Sequence, residues 1–187
     1  FPTRRSSDLA LSKKVIDLKV KDDITGLYTN NLLMEFLGTE VIKHIRNNDS
    51  LSVALINIKD FQTLQESYGQ DLLDTTFRQI SKILKSNTRQ TDIVGHIDSE
   101  TFACILPHTI GDASLMLADK IINSIEDVNV DKISISVTIG ITSFNGVDHD
   151  IQTIIDEDEY RLVIQIISAG KQAIKVAKEQ GVSVYSL

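Results

Sequence analysis

The stretch "TDIVGHIDSETFACILP", residues 91–107, decides the fold. Two apolar runs, "DIVGHI" and "ETFACILP", flank a short polar turn, the pattern of a β-hairpin. Pro107 ends the second run, because proline has no N–H for a sheet ladder. The turn carries two acids, Asp98 and Glu100, around Ser99. Working outward, "LSVALINIKDF" is rich in β-branched residues and reads as a buried strand. "KISISVTIGITSF" alternates and reads as a central strand, and "VSVYSL", after Gly181, as a last short one.

Helical periodicity fills the gaps between these strands. "TNNLLMEFLGTEVIKHIRNND" sets Leu33, Phe36, Leu37, Val41 and Ile45 close to helical spacing, with Asn30 or Asn31 as a cap. A short helix is expected around residues 60–66. "GQDLLDTTFRQISKILKSN" puts Leu73, Phe77, Ile80 and Leu84 on one face. Asp112 is the expected N-cap of "ASLMLADKIINSIE", with Leu115, Ala118, Ile122 and Ile125 inward. "DIQTIIDEDEYRLVIQIISAGKQAIKVAKEQ" reads as helix in one or two pieces. The order α-β-α-β-β-α-β-α-β predicts an α+β domain, with helices covering a mainly antiparallel sheet.

Bulk properties narrow the function. The 187 residues suffice for one domain with a real core. The net charge of -7 rules against a cationic field that would hold duplex nucleic acid. No apolar run is long enough to span a bilayer, and nothing resembles a signal peptide, so a cytoplasmic location is expected. Cys104 is the single cysteine, set among apolar residues, and is expected to be a buried structural thiol. His44, His96, His108 and His149 are far apart and show no zinc-site spacing. Residues 1–9, "FPTRRSSDL", are polar and aperiodic and are expected to lie outside the fold. Residues 10–21 are expected to be the end of a connecting helix from an upstream sensor module, and residues 22–187 the domain itself.

Five stretches, in order and in register, resemble one family. "DDITGLYTN" resembles D-x-L-T-G-L-x-N-R. "INIKDFQTLQESYGQDLLD" resembles D-x-D-x-F-K-x-x-N-D-x-x-G-x-x-x-G-D. "RQTDIVGHIDSETFACILP" resembles R-x-x-D, five residues, then G-G-D-E-F. "VTIGIT" is similar to the strand that follows, and "AIKVAKEQG" to the closing A-K-x-x-G. The resemblance is to the GGDEF domain of bacterial diguanylate cyclases, over about residues 22–187. It implies a ferredoxin-like, nucleotide cyclase-like palm, GTP as substrate, cyclic di-GMP as product and Mg²⁺ as cofactor.

The resemblance also implies roles residue by residue. Asp98-Ser99-Glu100-Thr101-Phe102 stands at the signature. Glu100 keeps the third-position acid, catalytic and metal-binding in the family, whereas Thr101 replaces the fourth-position glutamate. Asn57 stands at the metal-binding aspartate that ends the first strand. The two signature glycines become Asp98 and Ser99, which add side chains where phosphate should approach backbone. Two like charges about 4 Å apart repel by about 4 kcal/mol at an effective dielectric of ~20, so Asp98 opposes a triphosphate. Gln62 and Val182 replace phosphate-binding cations. The nucleotide-binding positions are Asp74, Lys178 and, in place of asparagine, Gln65. Arg89 and Asp92 keep the R-x-x-D inhibitory site for cyclic di-GMP, with Lys120 on the following helix as a further cation.

Three functions are compatible with these residues. One is a catalytically degenerate signalling module that binds cyclic di-GMP. The second is a weak diguanylate cyclase that works as a homodimer through Glu100 and one metal ion. The third is a dimerisation or docking module, with or without GTP at Asp74 and Lys178.

Overall fold

The computed structural model describes residues 20–130, 133–145 and 159–187. The expected tail over residues 1–9 and the linker helix, apart from Val20 and Lys21, lie outside them. Lys21 makes a bridge to Tyr28.

Among the described residues the elements are, in chain order, α1 (Asn30–Arg46), β1 (Ser50–Ile58), α2 (Phe61–Tyr68), α3 (Gln70–Asn87), β2 (Ile93–His96), β3 (Thr101–Pro107), α4 (Asp112–Glu126), β4 (Asn129–Val130), β5 (Ile133–Ser134), β6 (Val137–Asn145), α5 (Glu159–Gln180) and β7 (Val184–Ser186). Five strands form one sheet in the order β2-β3-β1-β6-β7. The β2–β3, β3–β1 and β1–β6 pairs are antiparallel, and β6–β7 is parallel. The sheet is therefore mixed but mainly antiparallel, and the fold is the α+β, nucleotide cyclase-like palm.

β1 is the central strand, and its composition explains why. Every residue after Ser50 is buried, as expected of a strand covered on both faces. Alternation divides its side chains between two cores. Ala54, Ile56 and Ile58 join Phe102, Cys104, Leu106, Val137, Ile139 and Ile141 in the core that includes residues of α3 and α4. Leu51, Val53 and Leu55 join Ala103 and Ile105 in the core formed with α1 and α5. Each Val, Leu, Ile or Phe side chain among them contributes about 1.5–3 kcal/mol when fully buried. The amphipathic faces read from sequence fill these cores: Leu33, Leu37, Val41 and Ile45 of α1, and Leu73, Phe77, Ile80 and Leu84 of α3, are all buried. Cys104 is fully buried, and burial pushes its thiol up to about 12.

The structure corrects several local expectations. Thr29, not Asn30 or Asn31, is the N-cap of α1. Gly111, not Asp112, is the N-cap of α4; Asp112 lies in the first turn, where its charge suits the helix dipole. The run "KISISVTIGITSF" is not one strand. It breaks after Ser134, and β5 instead pairs with β4 in a separate two-stranded ribbon.

α5 lies close to the sheet where Gly170 of the helix meets Gly140 of β6 and Leu55 of β1. A Cβ on Gly140 would sit 2.3 Å from the carbonyl oxygen of Gly170, and one on Gly170 would sit 2.8 Å from Leu55 Cδ1. Neither partner can retreat cheaply, since one is helix backbone and the other is core. Gly140→Ala is therefore expected to destabilise the domain by about 1–3 kcal/mol, the usual cost of overpacking. Urea denaturation checks this; an unchanged midpoint would show that α5 can shift freely.

Candidate functional site

The sheet register builds the site. Asn57 of β1 lies directly opposite Thr101 of β3 and Thr138 of β6. Asn57 Nδ2 donates to Thr101 Oγ1 at 3.2 Å, and Lys178 Nζ of α5 donates to Asn57 Oδ1 at 2.7 Å. Asn57 and Thr101 are 5% and 4% exposed, so the amide and hydroxyl satisfy each other with little help from water.

Above this pair opens a cleft of about 390 Å³, lined by Asn57, Asp98, Glu100, Thr101 and one stripe of α5. Lys171, Ile174, Lys175 and Lys178 form that stripe, at the i, i+3, i+4, i+7 spacing that keeps helix residues on one face. Asp98 Oδ2 lies 3.6 Å from Lys171 Nζ, and Glu179 Oε1 lies 3.9 Å from Lys175 Nζ. Glu100 has no side-chain hydrogen-bond or ion-pair partner among the described residues. Lys171 and Lys175 were not singled out by sequence reasoning. The signal was present in the lysine spacing of the last helix, but needed the hairpin opposite to give it meaning.

The hairpin turn is held by backbone bonds. The N–H groups of Ile97 and Asp98 both donate to Thr101 O, and Ile58 N–H donates to Glu100 O. Asp98 Oδ1 accepts the Glu100 N–H at 3.2 Å. The described non-glycine residues with positive φ are Asn48, Asp60 and His108. Asp98 and Ser99 are not among them, so this turn does not need glycine for its backbone shape. What the side chains change is the space and charge above it. The Lys171 contact offsets part of the repulsion expected from Asp98.

The other sequence-derived positions lie elsewhere. Asp74 accepts a bond from Gln70 Nε2 at 2.8 Å on the surface of α3, and Gln65 is exposed on α2. Neither lines the cleft. Lys178 also lines a second cavity of about 280 Å³ with Lys59, Asp60, Thr138, Gly181 and Val182. Thr138 Oγ1 is buried there with no hydrogen-bond partner in the structure.

Arg89 and Asp92 share one turn between α3 and β2. The Arg89 N–H donates to Asp92 Oδ2 at 2.7 Å, and the Asp92 N–H to Arg89 O at 3.1 Å. Asp92 Oδ1 is buried and has no hydrogen-bond partner in the structure, while Arg89 is exposed. Lys120 is exposed on α4, one turn before Ser124, whose hydroxyl meets Asn87 Nδ2 at 3.4 Å near the end of α3.

His96 ends β2 beside the hairpin turn. Its ring packs against Phe102, with centroids 4.3 Å apart, and its Nε2 meets Thr25 Oγ1 at 3.1 Å. Burial pushes its imidazole below the ordinary value, against the opposing pull of Asp22 and Asp98. Asp22 is held below its ordinary value: burial pushes it up, but hydrogen bonds from Thr25 outweigh that, aided by His96 and the Ile24 N–H.

A palm sheet with a cleft between its hairpin corner and its last long helix defines a nucleotide cyclase-like domain. The family model described as "Diguanylate cyclase, GGDEF domain" matches residues 19–181, and the chain belongs to that family. It is 28% identical to diguanylate cyclase A of Treponema denticola over 142 residues, which is 72% of this chain and 38% of that protein. It is 25% identical to diguanylate cyclase DosC of Escherichia coli K12 over 165 residues, 86% of this chain and 33% of that protein. The chain thus spans little more than a third of the length of these relatives. Among solved structures, the FimX GGDEF domain of Pseudomonas aeruginosa superposes with a TM-score of 0.76 at 13% identity, covering 91% of this chain and all of that one. The GGDEF domain of DgcB from Caulobacter crescentus, solved in complex with c-di-GMP, gives 0.74 at 14% identity over 89% and 92%. No helix among the described residues is long and apolar enough to cross a membrane.

The His96 environment makes stability depend on pH. In the unfolded chain the imidazole takes up its proton near pH 6.5, whereas the folded one does so only at lower pH. Between those values the unfolded state binds more protons. The stability His96 contributes at neutral pH is therefore lost as pH falls below about 6.5. His96→Gln is expected to flatten the urea midpoint between about pH 7 and pH 5. An unaltered pH slope in the variant would assign the dependence to other groups.

Proposed function

We propose that this chain is a catalytically degenerate GGDEF domain that acts as a signalling module and binds cyclic di-GMP at the Arg89–Asp92 turn. The observation that carries the reading is the 2.7 Å bond from Lys178 Nζ to Asn57 Oδ1. It puts an ammonium group beside the oxygen that stands at the family's metal-binding position. Mg²⁺ takes hard, anionic oxygen ligands, usually carboxylates with phosphates. Here the amide oxygen is occupied by a cation, its nitrogen is spent on Thr101, and Asp98 faces Lys171. Among the described residues that line the cleft, Glu100 alone offers an unengaged carboxylate. The set does not suit a dication.

Binding at the turn has separate support. Asp92 carries a buried carboxylate oxygen with no hydrogen-bond partner among the described residues, in the same turn as Arg89, which is exposed. A carboxylate and a planar fork of donors carried by one turn suit a guanine edge and a phosphate. The DgcB domain, which shares the fold, was solved with c-di-GMP. GTP, a homodimeric state, an upstream sensor and a cytoplasmic location belong to the same proposal. The unengaged Glu100 favours one alternative, a weakly active cyclase.

Two measurements test this. GTP turnover with Mg²⁺ or Mn²⁺ is expected to fall at least about 10²–10³-fold below an intact family member, the usual cost of losing one preorganised electrostatic group. Ordinary turnover, abolished in Glu100→Gln, would establish the cyclase instead. In calorimetry with cyclic di-GMP, Arg89→Ala is expected to weaken binding about 10–100-fold, the worth of one charge-assisted hydrogen bond. Equal affinity in the variant would place the ligand elsewhere, and no heat from either protein would remove cyclic di-GMP from the proposal.

A further inference from the structure

We propose that His44, Asp49 and His108 form a binding site for a zinc-class divalent metal ion, at the end of the sheet opposite the cleft. The three side chains each bring one ligand atom, and these atoms lie within 4.8 Å of one another. Sequence spacing hides the cluster, because His44 and His108 are 64 positions apart. Strand pairing assembles it. Leu51 of β1 faces Pro107 of β3, so the residues just before β1 meet those just after β3. The cleft, at Asn57, lies about 20 Å further along β1 at about 3.3 Å per residue.

His44 is oriented as a ligand would be, and Asp49 and His108 lie against each other beside it. His44 is fully buried, and its Nδ1 lies 2.7 Å from the carbonyl oxygen of Glu40. A carbonyl can only accept, so Nδ1 carries the hydrogen and Nε2 presents its lone pair to the cluster. A ring N–H held by a carbonyl is the usual second-shell support of a metal-binding histidine. The Glu40 carboxylate, 3.4 Å from the same nitrogen, reinforces it. Among the described residues, Nε2 accepts only the His108 N–H, in a long 3.4 Å bond. Asp49 Oδ1 accepts the Ser50 N–H at 2.7 Å, which leaves Oδ2 directed at His108 Nδ1. His108 adopts φ +54, a left-handed conformation uncommon for a residue with a Cβ. That conformation allows its ring to lie over Asp49 and 4.8 Å from the ring of His44.

Two imidazole nitrogens and one carboxylate suit Zn²⁺ and its Irving–Williams neighbours rather than Mg²⁺ or Ca²⁺. Zinc ligands sit about 2.0–2.2 Å from the ion and so about 3–3.5 Å from one another; the His108–Asp49 contact must therefore open to admit the ion, and the wider separations of the cluster must close. The His108 side chain is 55% exposed and can rotate to do so. Three protein ligands leave a fourth position for water. Such an ion would join the end of α1, the turn before β1 and the turn after β3. The proposal is independent of nucleotide binding at the cleft or at Arg89.

Isothermal titration of the chain with Zn²⁺ tests it, with Co²⁺ as a spectroscopic substitute. One saturable site is expected, with a Co²⁺ visible spectrum of tetrahedral N/O ligation. His108→Ala and Asp49→Ala should each weaken Zn²⁺ binding by at least about 10–100-fold, since losing a ligand costs no less than losing its outer-shell support. Both side chains are partly exposed, and circular dichroism verifies that the variants fold. Glu100→Gln should leave Zn²⁺ affinity unchanged. Absence of stoichiometric binding would mean an Asp49–His108 ion pair beside a buried imidazole, and would overturn the proposal. Binding that survives both folded variants, or that is lost in Glu100→Gln, would overturn it as well.

Discussion

The pairing of β1 with both β3 and β6 is the constraint on which the rest depends. Side chains alternate along β1, so a slip of one residue would exchange its two core faces. With the observed register, Leu55 faces α5 and Ile56 the core shared with α3 and α4. The same register fixes both ends of the strand. At one end Asn57 meets Thr101 and Thr138; at the other Leu51 meets Pro107 and brings Asp49 towards His108. One ladder thus places two polar clusters that are remote in space and unrelated in chemistry.

The pair at the cleft end illustrates how substitutions can be coupled by geometry. Two carboxylates placed directly across an antiparallel ladder repel each other unless a cation lies between them. Asn57 and Thr101 need none, because the amide donates to the hydroxyl. The Lys178 ammonium then takes the free amide oxygen. Buried polar atoms that would be costly if left unpaired are satisfied by protein alone. The Asn57–Thr101 pair is satisfied in this way, whereas Thr138 Oγ1 across the same ladder has no hydrogen-bond partner among the described residues.

Much of the fold was legible in the sequence. Period-two and period-3.6 patterns located β1, the hairpin, and the buried faces of α1 and α3, because burial acts on every residue of such a face. The helix starts were less legible. Asn30 and Asp112 are good capping residues by type, yet Thr29 and Gly111 take the caps, since the chain path entering the helix decides which residue stands there. The break between β5 and β6 was hidden because β-branched residues run through it without a turn signal. At the site, motif offsets named Asn57, Glu100 and Lys178, but could not show that Lys178 binds Asn57 or that Lys171 meets Asp98. Such contacts depend on how closely α5 approaches the sheet. That approach is set by the absence of side chains at Gly140 and Gly170, an effect no local pattern reveals.

The hairpin links the proposed ligand turn to the cleft through short, rigid steps. Asp92 precedes β2 by one residue, and β2 is paired to β3 from Ile93 to His96. The Ile97 N–H then closes the corner on Thr101 O, two residues beyond Ser99. His96 anchors the same strand sideways, through Phe102 on one side and the Thr25 hydroxyl on the other. Thr25 is in turn bound to Asp22, so the loop before α1 is tied to the hairpin by a chain of polar contacts. A ligand at Arg89 and Asp92 would therefore press on a strand whose far end carries the corner of the cleft. A physical route between them requires no large motion, only a change in how firmly β2 is held. Under the proposed reading of a degenerate domain, that route would carry binding at the turn to a partner.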